Sequence, residues 1–225
     1  MNPLLIIANP RQIPECIEAF QALDVRRAWL SNYTEWELVA VMDSIMRDES
    51  IFFSHAILCA DDCVVSQGAL DAVLAGAETE HAKEHDAAVT GYCRLDHQHP
   101  EVNITRRPLM GDVPVPGAYD FFRFDDVQEW PDPGLAGTGF VGFALTCMSR
   151  ERWLQFPFGV FGGPQQSWSS DFHLSVRLRD AGVEMTAARD GYVTHVKEQW
   201  QRLDTAHEKR LLIGEEPARV RVEGA

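Results

Sequence analysis

The stretch from Ile51 to Val65 constrains this chain most, because a β-prone apolar run through Ala60 ends in two adjacent carboxylates, Asp61 and Asp62. A strand buried on both faces cannot hold charge in its middle. It can hold charge at its carboxyl end, where open α/β sheets bind their ligands. Ser66 then reads as the N-cap of a helix and Gly76 as its stop. Two carboxylates with little Lys or Arg nearby suit a hard divalent cation, Mn²⁺ or Mg²⁺, which in turn holds phosphate oxygens. The alternative is that Asp61 and Asp62 only open the turn before the helix, since Asp is common turn chemistry.

The preceding residues set the frame for that strand. Leu4 to Ala8 is an apolar run ended by Asn9-Pro10, and Ile13, Cys16, Ile17, Phe20 and Leu23 recur at helical spacing behind it, with Pro14 in the first turn. Val25 to Leu30 reads as a second strand. Thr34-Glu35-Trp36-Glu37 is a capping-box pattern opening a helix that buries Leu38, Val41, Met42 and Ile45. The alternation of strand and helix predicts an α/β fold, with a mostly parallel central sheet covered by helices on both faces. The loops after Ala8, Leu30 and Ala60 then open on one edge, with Ala8, Asn9, Arg11, Ser31 and Asn32 beside Asp61 as candidate ligand-binding positions.

Downstream, residues 77–88 turn polar and read as a solvated connection in which His81 and His85 are given no role. Val89 to Leu95 reads as a strand. Asp96 to Pro133 is rich in Pro, His, Asp and aromatics and is expected to form the irregular, variable wall of a binding site. Gly137 to Met148 is a glycine-rich entry to an apolar strand, where Gly139 signals close approach of a ligand to the backbone or a bend in the sheet. Its spacing fits neither a dinucleotide fingerprint nor a phosphate-binding P-loop. A short helix from Ser149 to Phe156 follows, then an aromatic loop. An amphipathic helix runs from Trp168-Ser169-Ser170-Asp171 to Gly182, and two last strand-like pieces follow, the second ending in His195.

With 225 residues and 45% hydrophobic content, the chain is sized for one well-buried domain. A net charge of −14 disfavours a dedicated polyanion binder, unless Arg94, Arg106 and Arg107 gather into a local basic strip. Cys16, Cys59, Cys63, Cys93 and Cys147 form no CxxC pair and mostly sit in apolar runs, so buried free thiols in a reducing cytoplasm are expected. No apolar run approaches the roughly 18 residues a membrane span needs.

Taken in order, Asp61-Asp62 after a strand, a Gly-rich strand leading to Ser149-Arg150-Glu151, Ser170-Asp171 followed by Leu174, Arg177-Leu178 and Ala181-Gly182, and a late His195 resemble the GT-A glycosyltransferases of the large family-two group. The resemblance spans residues 4–197 and implies a GT-A, Rossmann-like domain with a donor half at about 1–76 and an acceptor half at about 88–197. It implies that Asp61, Asp62 and His195 bind a divalent metal and the pyrophosphate of a nucleotide-sugar donor. It also implies that Asp171 is the catalytic base of an inverting transfer, with Gly139, Trp168 and Ser170 on the acceptor side. The chain departs from the family pattern at Cys59 and Ser170, where acids are usual, and at Ser31-Asn32, where an acid is expected.

Independently of the resemblance, Asp171 suits a base acting on an acceptor hydroxyl, or a simple helix cap. His195 suits a metal ligand or a satisfied histidine at a sheet end. The acceptor stays open among a glycan, a protein side chain, a small molecule and a hydroxylated nucleic-acid base. Competing functions are a sugar-phosphate nucleotidyltransferase and a non-catalytic nucleotide- or sugar-binding module. Residues 198–225 read as a tail; with Lys197 and Trp200 they suggest a lid over a diphosphate, or else a docking helix.

Overall fold

In the computed structural model, the described residues are 1–9, 13–31, 35–95, 100–109, 119–156, 170–196 and 219–224, with the side chains of Asn9, Glu35 and Trp36 left aside. Strand β1 (Pro3–Asn9) shows how the sequence builds the core, because its successive side chains point to opposite faces of the sheet. Leu5 and Ile7 join one apolar cluster, and Leu4 and Ile6 join another. All four are at most 1% exposed, so both faces are covered.

On the first face lie α1 (Pro14–Gln21), through Cys16 and Phe20, and α3 (Gln67–Ala82), through Leu70 and Val73. On the second lie α2 (Glu35–Arg47), α5 (Arg150–Gln155) and α6 (Ser170–Asp180), through Met42, Trp153 and Leu174. The chain is therefore a three-layer α/β/α arrangement.

Strands β2 (Arg26–Ser31) and β3 (His55–Ala60) flank β1, both parallel to it. The chain steps to one side of β1 and then to the other, which leaves a crevice at their carboxyl ends. The eight-stranded sheet has the order β12-β2-β1-β3-β9-β5-β10-β8. Here β5 is Ala88–Tyr92, β8 is Leu135–Gly137, β9 is Ala144–Ser149, β10 is Met185–Tyr192 and β12 is Arg219–Glu223.

The sheet is mixed rather than mostly parallel: β5 and β10 are parallel, whereas β9 runs antiparallel to β3 and β5, β8 to β10 and β12 to β2. The reason for β9 is positional. Phe143 lies beside the end of β3, with Ala60 N donating to Phe143 O at 2.7 Å, so β9 enters at the site edge and must run away from it. Its register shifts between Leu58 and Cys59, and Leu145 takes a φ of 112°, a bulge set directly opposite the approach to Asp61.

Two helix boundaries differ in an instructive way. Ser66 caps α3 as expected, accepting Ala69 N at 3.2 Å. Gly76 does not end the helix, which continues to Ala82 and takes in much of the expected polar connection. A Cβ at Gly76 would sit 3.0 Å from Leu135 and Val89, so this glycine admits a neighbouring strand rather than a cap. Gly182, in contrast, does close α6: it has a φ of +69°, and Val183 N returns to Leu178 O at 2.9 Å.

The end of the tail forms β12, while residues 197–218, on which the lid or docking helix was expected, lie outside the described residues. Strand β12 pairs from Arg219 against Ser31 to Glu223 against Arg27, and Trp29 Nε1 donates to Glu223 Oε2 at 2.8 Å. No helix among the described residues is long and apolar enough to cross a membrane.

Candidate functional site

The site is assembled at the carboxyl edge of the sheet. Asp61 and Asp62 follow the last residue of β3 and are 1% and 6% exposed. The chain then turns into β4 (Cys63–Val64), which pairs antiparallel with β11 (Thr194–His195), setting His195 opposite Cys63. Val196 N donates to Asp62 O at 2.8 Å, so the aspartate turn is clamped by a segment far along the chain. The same clamp brings His195 Nε2 to 2.7 Å from Asp62 Oδ2. His195 Nδ1 is buried and has no hydrogen-bond partner among the described residues.

The three implied metal ligands thus meet where β11 pairs with the aspartate turn, but their ligand atoms do not all come within 4.8 Å of one another. The group of three that does so among the described residues is Glu80, His85 and Glu184. That group lies at the amino ends of β5 and β10, the opposite edge of the sheet, where His85 Nδ1 is 3.1 Å from Glu184 and Lys83 is 2.9 Å from Glu80.

Asp171 reaches the same region from the other face. It lies in the first turn of α6, where a carboxylate is favoured by the helix dipole, and its Oδ1 accepts Phe172 N at 2.7 Å. Ser175, fully buried, fixes that turn: its Oγ accepts Val141 N at 3.0 Å and sits 2.9 Å from Asp171 O. Asp171 and His195 both line one cavity of about 290 Å³.

The rest of the cavity wall comes from Phe172 of α6, from Phe140, from Cys93 and Leu95 after β5 and from the segment expected to be variable. That segment forms β6 (Glu101–Thr105) and β7 (Phe121–Arg123), paired antiparallel, followed by α4 (Phe124–Gln128). Along β6 the side chains alternate. Val102 and Ile104 are buried in a small third cluster, while Asn103 and Thr105 face the cavity with Tyr119 and Phe121. Sequence reasoning reached the segment but missed these residues and Phe172; the available signal was the period-two pattern Val102-Asn103-Ile104-Thr105.

Gly139 has a reason other than close approach by a ligand. A Cβ there would lie 1.9 Å from Arg107 O, and Gly139 N donates to Thr105 O at 2.9 Å, so the close approach is by the chain's own backbone. Two arginines of the expected basic strip are ion-paired, Arg106 with Asp120 and Asp126 and Arg107 with Asp120, while Arg94 stacks over Phe124 at 4.4 Å.

Of the remaining expected positions, Ala8 and the backbone of Asn9 end β1, Ser31 ends β2 with 8% exposure under β12, and Ser170 opens α6. Arg11, Asn32, Trp168, Lys197 and Trp200 lie outside the described residues.

No protein-family model matches the chain, and neither does the sequence of any curated protein. Among solved structures, the chain is similar to A197 from STIV, with 14% identity and a TM-score of 0.53 over 83% of this chain and 81% of that one. It is more loosely similar to the inositol-1-phosphate CTP transferase from T. maritima, with 11% identity and a TM-score of 0.43 over 92% of this chain and 97% of that one. The first likeness shows that the fold, a mixed α/β arrangement, is shared at low sequence identity.

Proposed function

We propose that the chain is a metal-dependent glycosyltransferase of GT-A type, moving a sugar from a nucleotide-sugar donor, a UDP-sugar among the candidates, to an acceptor hydroxyl with inversion. The observation that carries the reading is the shared cavity: Asp171 lines it from α6, and His195, bonded to Asp62, lines it from β11. A base and a diphosphate-binding end on two walls of one cavity suit an in-line displacement, in which the acceptor attacks opposite the leaving group.

By type, two carboxylates and an imidazole at a sheet edge suit a hard or borderline divalent cation, although their ligand atoms do not all lie within 4.8 Å of one another as they stand. Asp61, Asp62 and His195 would hold it, and when bound it supplies positive charge to the departing nucleoside diphosphate. Asp171 takes the acceptor proton, and Ser175 holds the turn that aims it. Ala8, Asn9, Arg11, Ser31 and Asn32, with Lys197 and Trp200, belong to the donor side in this reading; Ser170 and Trp168 belong to the acceptor side.

Incubating the chain with a panel of nucleotide sugars and Mn²⁺, and measuring released nucleoside diphosphate, tests the proposal. A sugar-phosphate nucleotidyltransferase instead releases pyrophosphate from a nucleoside triphosphate, and a binding module releases neither.

A further inference from the structure

The described lining of the cavity is unusual for a polyhydroxylated ligand. Tyr119, Phe121, Phe140 and Phe172 contribute rings, and Leu95 and Leu109 add aliphatic surface. Tyr119 packs edge-on against Phe121 at 5.6 Å and against Phe172 at 6.1 Å, giving a preformed aromatic corner. The polar side chains in the wall already engage the protein. Asn103 Oδ1 accepts Cys93 N at 2.8 Å, and Thr105 Oγ1 donates to Arg107 O at 2.8 Å. Asp171 Oδ1 accepts Phe172 N at 2.7 Å, and His195 Nε2 meets Asp62 at 2.7 Å. No Lys or Arg lines the cavity among the described residues.

Three ligand classes can be weighed against that wall. A pyranose acceptor among these rings would bury several hydroxyls where few polar atoms remain to receive them, and each hydroxyl left without a partner weakens binding. A phosphate-bearing acceptor would bring dianionic charge beside the Asp171 carboxylate, where the described lining offers it no Lys or Arg. An aromatic ring gains from the same surface that penalises the other two. The size agrees: an apolar cavity of about 150 Å³ takes benzene, and this one, at about 290 Å³, takes a single ring with a substituent.

We infer that this cavity binds the acceptor, and that the acceptor group is an aromatic ring carrying a single hydroxyl, a phenol or a benzyl-type alcohol, seated in the Tyr119–Phe121–Phe172 corner with its hydroxyl toward Asp171. The inference rests on the transferase reading above and specifies its acceptor. In the reaction, the acceptor O–H proton passes to the Asp171 carboxylate and the acceptor oxygen bonds to the anomeric carbon. The bond from that carbon to phosphate oxygen breaks, and the nucleoside diphosphate leaves with the electron pair.

The test is direct binding, by calorimetry or saturation-transfer NMR, of four probes to the full chain: 4-methylphenol, benzyl alcohol, methyl glucopyranoside and glucose 1-phosphate. The two aryl probes should bind at least about tenfold more tightly than the methyl glucopyranoside, a gap within reach of one aromatic contact and one unmet hydroxyl, and the sugar phosphate should not displace them. Comparing the aryl probes separates the phenol from the benzyl alcohol. Tyr119→Ala should weaken aryl binding by about tenfold; Phe121→Asn, which adds polarity to the same corner, is the second variant should the first fail to fold. Equal or tighter binding of the methyl glucopyranoside, tighter binding of the sugar phosphate in competition with the aryl probes, or no aryl binding overturns the inference.

Nucleoside diphosphate binding on the same samples reports on the transferase reading separately. Aryl binding without nucleotide binding supports the cavity's ring preference and removes the transferase. Nucleotide binding with a preference for the sugar probes keeps the transferase and overturns the ring.

Discussion

His195 Nε2 and Asp62 Oδ2 lie 2.7 Å apart although 133 residues separate them in the chain. The β4–β11 pairing makes that contact, so the aspartate turn and the histidine form one unit only in the folded protein. If the unit holds a divalent cation, Mn²⁺ titrated into the chain alone gives a saturable calorimetric signal. Asp62→Asn and His195→Gln should each lower the affinity by about tenfold or more, as loss of a ligand or of its support does. Mn²⁺ affinity unchanged in both variants would remove the metal from this turn.

Asp171 can be separated from the donor side by kinetics. Asp171→Asn keeps the shape of the residue and its contact with Phe172 N but removes the base, so transfer should fall by about 10²–10⁴-fold. Nucleoside diphosphate affinity should stay within a few fold of wild type, since a base acts on the acceptor. Loss of nucleotide binding in this variant would move Asp171 to the donor side.

The crossing of Gly139 over Arg107 predicts a folding defect rather than a binding defect. With a Cβ placed 1.9 Å from a backbone oxygen, Gly139→Ala must displace the β6 segment. The expected destabilisation is about 2 kcal/mol or more, typical of forced overpacking, and denaturant unfolding measures it. Wild-type stability with altered ligand affinity would instead return Gly139 to the ligand-binding role expected from the sequence.

The thiols predict a pH dependence. Burial pushes Cys147 from an ordinary 9.0 up to about 12 and Cys16 also upward, while Cys63 is raised by its hydrogen bond to Cys59 and by burial. Their folded-state pKa values exceed the unfolded ones, so the unfolded chain loses these protons first. The stability they contribute is complete below the ordinary thiol value and is lost as pH rises above it toward about 12. At pH 8 the native chain should resist iodoacetamide at all five buried cysteines, whereas the denatured chain should react at every one. Rapid labelling of the native chain would contradict this.

What the sequence made legible follows from how local each signal is. The strands β1 and β3 and the caps at Ser66 and Gly182 depend on neighbouring residues, and the apolar runs and cap residues mark them. Residues 51–54 were read into β3 but precede it; Phe52 is 75% exposed there, an apolar residue the run alone could not place outside. Gly76 looks like a stop until Leu135 arrives from elsewhere in the chain. β12 is invisible in the same way, because its partner is β2 and its anchor is the Trp29–Glu223 contact across 194 residues. In the site, Asp61, Asp62, Asp171 and His195 stood out by residue type and order. Asn103, Tyr119 and Phe172 did not, since an aromatic wall is defined by which strands meet rather than by any motif.

The central claim is that one cavity joins a diphosphate-binding turn to a base on α6. The most direct measurement is nucleoside diphosphate release from a panel of nucleotide sugars with Mn²⁺ and an aryl alcohol acceptor, comparing wild type with Asp171→Asn and Asp62→Asn. The account predicts release with at least one donor, accompanied by a glycosylated acceptor whose anomeric configuration is inverted, and loss of both in each variant. Pyrophosphate release from a nucleoside triphosphate and a sugar phosphate, or wild-type release in the two variants, would contradict it.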